Sequence, residues 1–266
     1  MQLIMLGTGE ALTTKCYNTC FAFNNGGEYF LVDAGGGNGI MARLNEAGIP
    51  YSAIKDMFVT HAHSDHVLGA VWVIRTFAEE MLEGRYSGGV VVRCHDELVN
   101  IINTICRLIL SPRHIGYIEQ GVGIRQVNSG DIADINGMRV EFFDIHSRKA
   151  KQFGFSAILP DGKKLVCLGD EPFNEDNAGY VKNADWLLSE AMCLDSESGF
   201  YHPHEKFHST ALDAALVAER MQVKNLLLYH TVDNNLARRR ELYTREAKSV
   251  FGGEVFVPDD GDIIEL

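Results

Sequence analysis

Directly after Val59 the chain reads Thr60-His61-Ala62-His63-Ser64-Asp65-His66. Three imidazoles and a carboxylate fall within six residues, in a chain with 10 histidines among 266 residues. Imidazole and carboxylate are the donors that zinc and similar first-row metals take. In an extended segment His61 and His63 project from the same side, because side chains alternate along a strand. The next turn swings Asp65 and His66 elsewhere. One metal cannot easily use all four donors, whereas two metals can. The same donor types recur at the ends of apolar runs. Val140 to Ile145 leads to His146, Leu165 to Gly169 leads to Asp170, Trp186 to Ser189 leads to Glu190, and Asn225 to Tyr229 leads to His230. Ligands of α/β sheets gather beyond the carboxyl ends of the strands. Each residue alone reads equally as a capping or core-edge polar group. As a set they predict a two-metal pocket on one rim.

Positioning these groups calls for short strands alternating with helices. Met1 to Leu6 reads as a strand ending at Gly7-Thr8-Gly9. Asn18 to Phe23 and Tyr29 to Val32 flank a hairpin turn at Asn24-Asn25-Gly26-Gly27. Asp33 then ends a strand before Gly35-Gly36-Gly37. Helices are expected over 38–47, 67–83, 96–110, 210–221 and 238–250. Pro112 closes the third of these, and Gly48 and Gly84 stop the first two. Further strands are expected over 57–59, 89–93, 122–127, 139–145, 153–159, 164–168, 186–189, 225–229, 254–257 and 263–264. Strands outnumber helices and the two are mixed, which predicts a layered α/β architecture. With six prolines and no Ser/Gly-rich linker, one domain over residues 1–266 is expected.

Composition excludes several functional classes. A hydrophobic share of 46% with 23% charged residues is globular, not disordered. No apolar run reaches 18 residues, so a spanning helix is not expected, and no basic leader opens the chain. A net charge of −12 disfavours a surface for long nucleic acid, where phosphates want Lys and Arg. A small phosphorylated substrate held by a metal or a few local cations stays open. The six cysteines are read as reduced thiols of a cytoplasmic protein. Cys16 and Cys20 lack the second pair that a metal clip would need. Arg148, Lys149 and Lys151 follow His146 closely, and either meet substrate phosphate or solvate a turn. Arg238-Arg239-Arg240 opens a helix, where basic residues oppose the dipole. That hints at a bound anion or a subunit contact, against the plainer reading of a solvated face.

The H-x-H-x-D-H signature at His61, His63, Asp65 and His66, with His146, Asp170 and His230 further on, resembles the metallo-β-lactamase superfamily over nearly the whole chain. The resemblance implies an α/β fold, a four-layer αβ/βα sandwich with mixed sheets and outer helices. It implies two divalent metal ions, zinc first and manganese or iron as alternatives. His61, His63 and His146 would hold one, Asp65, His66 and His230 the other, with Asp170 and a hydroxide bridging. Asp33 resembles an outer group that steadies the Asp65 turn. Within the superfamily the chain looks most like the phosphodiesterase branch that contains ribonuclease Z. Leu6-Gly7-Thr8-Gly9 with Lys15 and Asn18, Ser189-Glu190-Ala191-Met192, and His208-Ser209-Thr210 carry this likeness, although Ser189 stands where that branch has a histidine. The implied catalytic residues are His208, Glu190 and Asp65. His208, held protonated by Glu190, would serve as acid for the departing oxygen. Ser209 and Thr210 would meet substrate, since either can cap a helix whose amino end favours phosphate. Ribonuclease Z enzymes with a long tRNA-binding arm place it between the residues matching His146 and Asp170, and here only 24 residues separate the two. A small phosphodiester or nucleotide is therefore the expected substrate, as in short relatives that cleave cyclic nucleotides. A homodimer is also implied. The same fold leaves open a lactone, thioester or β-lactam hydrolase and, further off, an iron-dependent redox enzyme. A metal-free binding module would be expected to have lost ligands, and each expected ligand is present.

Overall fold

The structure, a computed structural model, describes all of residues 1–266. The first half runs β1 (Gln2–Gly7), β2 (Cys20–Asn25), β3 (Glu28–Val32), α1 (Gly39–Glu46), β4 (Ile54–Phe58), α2 (Ser64–Leu82), β5 (Val90–Cys94), α3 (Asp96–Ile109), α4 (Pro112–Gly121) and β6 (Val122–Gln126). The second half runs β7 (Ile132–Ile135), β8 (Met138–Asp144), β9 (Phe153–Ile158), β10 (Lys164–Cys167), α5 (Ala178–Val181), β11 (Trp186–Glu190), α6 (Ser198–Tyr201), α7 (Ala211–Arg220), β12 (Asn225–Tyr229), α8 (Leu236–Lys248), β13 (Glu254–Phe256) and β14 (Ile263–Glu265). Two seven-stranded sheets form, in the orders β14-β1-β2-β3-β4-β5-β6 and β13-β12-β11-β10-β9-β8-β7. Each mixes parallel and antiparallel pairs: β3 to β6 run parallel, as do β10 to β13.

The strands are apolar on both faces because both faces are covered. In β1, Leu3 and Met5 point between the sheets while Ile4 and Leu6 point to the helices. In β12, Leu227 and Tyr229 face between the sheets, and Leu226 and Leu228 face the other helical layer. The inter-sheet core centres on Phe155, which packs on Phe23, Phe30 and Phe58 at centroid distances of 6.2, 6.0 and 5.9 Å. α1 to α4 cover the first sheet, and α7 and α8 the second. This is the expected four-layer sandwich. No helix is long and apolar enough to cross a membrane.

Four elements depart from the expectation: α4, β7 and the single-turn helices α5 and α6. Pro112 is not only a stop; it opens α4, with the Ser111 hydroxyl accepting the His114 N–H as a cap. Proline suits the first helical turn, where its missing N–H costs nothing. The short edge strand β7 was not expected either. It pairs with β8 through a two-residue turn at Asn136-Gly137, both in the left-handed region at φ +52° and +78°. All six cysteines stand unpaired. The Arg238–Arg240 run binds the chain itself. Arg238 pairs with Glu241, Arg240 with Asp259 and Asp262, and Arg239 is buried, donating to Thr8, Thr231, Pro258 and Asp259.

Candidate metal centre

The carboxyl ends of β3, β4, β8, β10, β11 and β12 place Asp33, the His61–His66 segment, His146, Asp170, Glu190 and His230 on one rim. Three of these corners use a left-handed backbone in a non-glycine residue: Asp33 at φ +54°, His146 at +58° and His230 at +59°. Gly169, at +75°, supplies the same turn before Asp170. Such backbone costs about 1–3 kcal/mol per site and persists where the surroundings over-determine it.

His61, His66 and His230 are each anchored through Nδ1, leaving Nε2 toward the centre. Thr60 donates to Asp33 through its N–H and its hydroxyl, both at 2.8 Å, so its oxygen accepts the His61 Nδ1–H at 2.9 Å. His66 Nδ1–H donates to Asp33 Oδ2 at 2.8 Å. The Thr19 hydroxyl donates to the Gly9 carbonyl and accepts the His230 Nδ1–H at 3.1 Å. The protons are assigned from these partners, as the geometry of the other nitrogen requires. Asp33 thus steadies the turn that carries Asp65 through its bond to His66, and holds Thr60 as well.

Asp170 Oδ2 lies 3.5, 3.7 and 3.6 Å from the Nε2 atoms of His61, His66 and His230. Three groups of donor atoms are close enough to share a cation: His61, His66 and Asp170; Asp65, His66 and His230; Asp170, His208 and His230. His63 is half-buried, with Nδ1 2.9 Å from His61 Nε2. His146 joins none of the three groups. It is exposed and lines a cleft of about 450 Å³ beside His208, together with Arg148, Phe173, Asn174 and Phe207.

The residues fit a cation. His66 Nε2 and Asp170 Oδ1 are buried with no hydrogen-bond partner, an arrangement that proteins rarely leave unexplained. Burial pushes the Asp170 carboxyl up, but His61, His230 and His66 outweigh it and hold it well below the usual carboxylate range. Burial likewise opposes ionisation of Asp65, and the His66 charge, with Nε2 3.3 Å from Asp65 Oδ2, overcomes it, lowering the group. Burial, with the neighbouring His61, lowers His63, and burial carries His230 down to about 3, leaving that ring neutral and able to donate a lone pair. His66 is pushed down by burial yet held well above its ordinary value by Asp33 and Asp65.

Beside this centre, His208 Nδ1 and Glu190 Oε2 face each other at 3.5 Å, and neither has another partner. The other Glu190 oxygen accepts the Ser209 N–H. Burial raises Glu190. Burial would lower His208, but Glu190 outweighs it and raises the ring above its ordinary value. Thr210 caps the helix, as its position before α7 led us to expect. Its hydroxyl accepts the Asp213 N–H at 3.1 Å and donates to the Asp213 carboxylate at 2.8 Å, capping α7 from a fully buried position. The amino end of α7 therefore already carries its own carboxylate, and Ser209 is buried beside it. Thr19 and Thr60 were missed by sequence reasoning. Thr60 has a signal in standing directly before His61, whereas Thr19 has none.

A family model described as "Anti-Pycsar protein Apyc1" matches residues 1–247. Ribonuclease Z of Natronomonas pharaonis is 25% identical, with all of this chain and 98% of the relative covered. That alignment runs to 307 positions against 266 residues here, so the relative carries segments this chain lacks. Among solved structures, the metallo-β-lactamase fold protein YhfI from Bacillus subtilis matches with a TM-score of 0.80 at 17% identity, covering 100% of this chain and 99% of that one. The short form of human tRNase Z matches at 0.75 and 21%, with the same coverage. The fold is that of the metallo-β-lactamases.

Proposed function

The chain belongs to the family described as anti-Pycsar protein Apyc1, and from that premise we propose that it is a binuclear phosphodiesterase of small substrates, acting as one domain over residues 1–266. At the coarser level it is a metal-dependent hydrolase of the ribonuclease Z type, acting on phosphodiester bonds. The observation that carries the finer reading is the convergence of three donor groups on a shared rim, two of them through Asp170, with His208 and Glu190 against it. His61 and His63 would hold one cation, joined by His146 from the cleft wall. Asp65, His66 and His230 would hold the other, with Asp170 between them. Two divalent cations, zinc for this donor set with manganese or iron as alternatives, would supply Lewis acidity and lower the pKa of a water from ~15.7 toward about 7.

The chain's own residues do the rest. Asp33, Thr60 and Thr19 hold the imidazoles in orientation, as partners behind metal ligands commonly do. Asp65 serves both as a ligand and as a catalytic carboxylate. His208 gives its Nε2 proton to the departing oxygen, and Glu190 keeps that proton on the ring. The cleft beside His208 accommodates the remainder of a small diester such as a cyclic nucleotide. The net charge of −12 and the shorter chain argue against long RNA. A homodimer is what the sequence resemblance implies, and the cytoplasm is the setting the reading of its cysteines as reduced thiols suggests.

Metal analysis and a substrate panel test the reading. We expect two metals per chain, cleavage of bis(p-nitrophenyl) phosphate and cyclic nucleotides, and no cleavage of lactones or thioesters. Ester cleavage without diester cleavage would replace this reading with a carbonyl hydrolase. One iron per chain would replace it with a redox enzyme.

A further inference from the structure

The turn after His146 is built around a buried carboxylate. Glu171 accepts the Ser147 hydroxyl and the Arg148 N–H, the latter at 3.1 Å, and the Ser147 oxygen accepts the Lys149 N–H at 3.1 Å. This clamp turns Lys149 inward, so that its side chain is only 17% exposed. Its ammonium lies 3.3 Å from His208 Nε2 and 3.5 Å from the Asp170 carbonyl oxygen. The nearest carboxylate oxygens, on Asp170 and Glu171, are both 4.0 Å away, at the outer limit of ion pairing. Lys151, two residues on, instead pairs with Asp96 at 2.5 Å, away from the donor groups.

An ammonium has three donors and no acceptor. Lys149 therefore sits against the rim with its charge incompletely matched, next to the ring that would protonate the leaving group. With the Asp170 carboxylate committed to metal, Lys149 would keep only a Glu171 oxygen at 4.0 Å, on a carboxylate already engaged by Ser147 and Arg148, and the group that completes its match is an anion. We propose that Lys149 is a substrate-binding catalytic residue, a phosphate clamp that holds a non-bridging oxygen of the diester beside His208. The proposal rests on the phosphodiesterase reading for its substrate. In the reaction a water releases one proton to solvent, from which His208 is later reprotonated, and the water's oxygen bonds to phosphorus. The P–O bond to the leaving group breaks, and the leaving oxygen takes its proton from His208. Lys149 gives up no proton; it stabilises the charge on the non-bridging oxygens throughout.

The test compares wild type, Lys149→Met and Lys149→Arg, each metal-loaded, by metal content, inorganic phosphate binding in calorimetry, and turnover of bis(p-nitrophenyl) phosphate. We expect unchanged metal content, phosphate binding weakened at least tenfold in Lys149→Met, and kcat/KM lowered by about 10²-fold, the scale of one lost oxyanion donor. Lys149→Arg should recover most of the phosphate affinity. Equal phosphate binding in wild type and Lys149→Met, no phosphate binding by wild type, or loss of metal in Lys149→Met would each overturn the clamp. Wild type that binds phosphate through Lys149 but cleaves no diester would leave the clamp standing and remove the phosphodiesterase reading.

Discussion

Three imidazoles here share one device: Nδ1 is fastened to a threonine or aspartate, and Nε2 is left for the centre. Asp33 serves two of them, His66 directly and His61 through Thr60. Replacing Asp33 with Ala should therefore weaken metal affinity about 10–100-fold, the usual cost of losing such a partner. Chelator competition would measure it, and unchanged affinity would refute the role. His208 answers to a different readout. His208→Ala should lower turnover by about 10²–10⁴-fold, the range for a lost general acid, while metal content stays. Loss of metal instead would make the ring a ligand, as its grouping with Asp170 and His230 permits. The Glu190 carboxylate raises His208. An acid works only while it carries its proton, so activity falls as pH rises through the His208 pKa. Glu190→Gln lowers that pKa, and the alkaline limb of the kcat profile should move to lower pH. A limb that stays in place would remove Glu190 from this role. His61 to His66 were legible because their spacing is restrictive. Thr19 was not, because nothing local to it announces a histidine 211 residues away.

At the scale of elements, the site depends on how tightly α2 is drawn against the corner after β3. Gly69 donates its N–H to the Gly35 carbonyl at 2.8 Å, and a Cβ on Gly69 would meet the Ala34 carbonyl oxygen at 1.7 Å. Asp65 and His66 lie in the first turn of the same helix. Gly69→Ala should push that turn off the rim, costing about 1–3 kcal/mol as an overpacked site does. Thermal melting should show the loss, and metal content should fall with it. A variant with wild-type melting and metal would show that the helix shifts freely. Most elements were legible from apolar runs and their stops. β7 escaped because its residues are exposed or half-exposed except Ile135, so no apolar run marks it. The Asn136-Gly137 dipeptide was the available signal, since both central residues of such a turn need positive φ. At Pro112 the same residue type ends one helix and begins the next, and only the position of Ser111 separates the two meanings.

For the molecule as a whole, two sheets meet so that their carboxyl ends share one edge, and the candidate metal centre draws on both. His61, His63, Asp65 and His66 come from the first sheet's side, Asp170 and His230 from the second's. Metal should then bind the folded chain far better than the unfolded one. Chelation is expected to lower the melting temperature as well as abolish activity, since a ligand held at 100 times its dissociation constant contributes about 2.7 kcal/mol. Unchanged melting after complete metal removal would separate the centre from the stability of the sandwich. Light scattering should give twice the 29.5 kDa chain mass if the expected dimer forms. The sequence by itself determined the donor types and the alternation of apolar strands that end in them, because spacing and side-chain period are local properties. Only the tertiary structure decided which atoms face one another. Thr19 fixes the tautomer of a histidine 211 residues on, Asp33 that of His66, and Lys149 turns in beside His208, because each of these contacts joins segments far apart in the chain that only packing brings together.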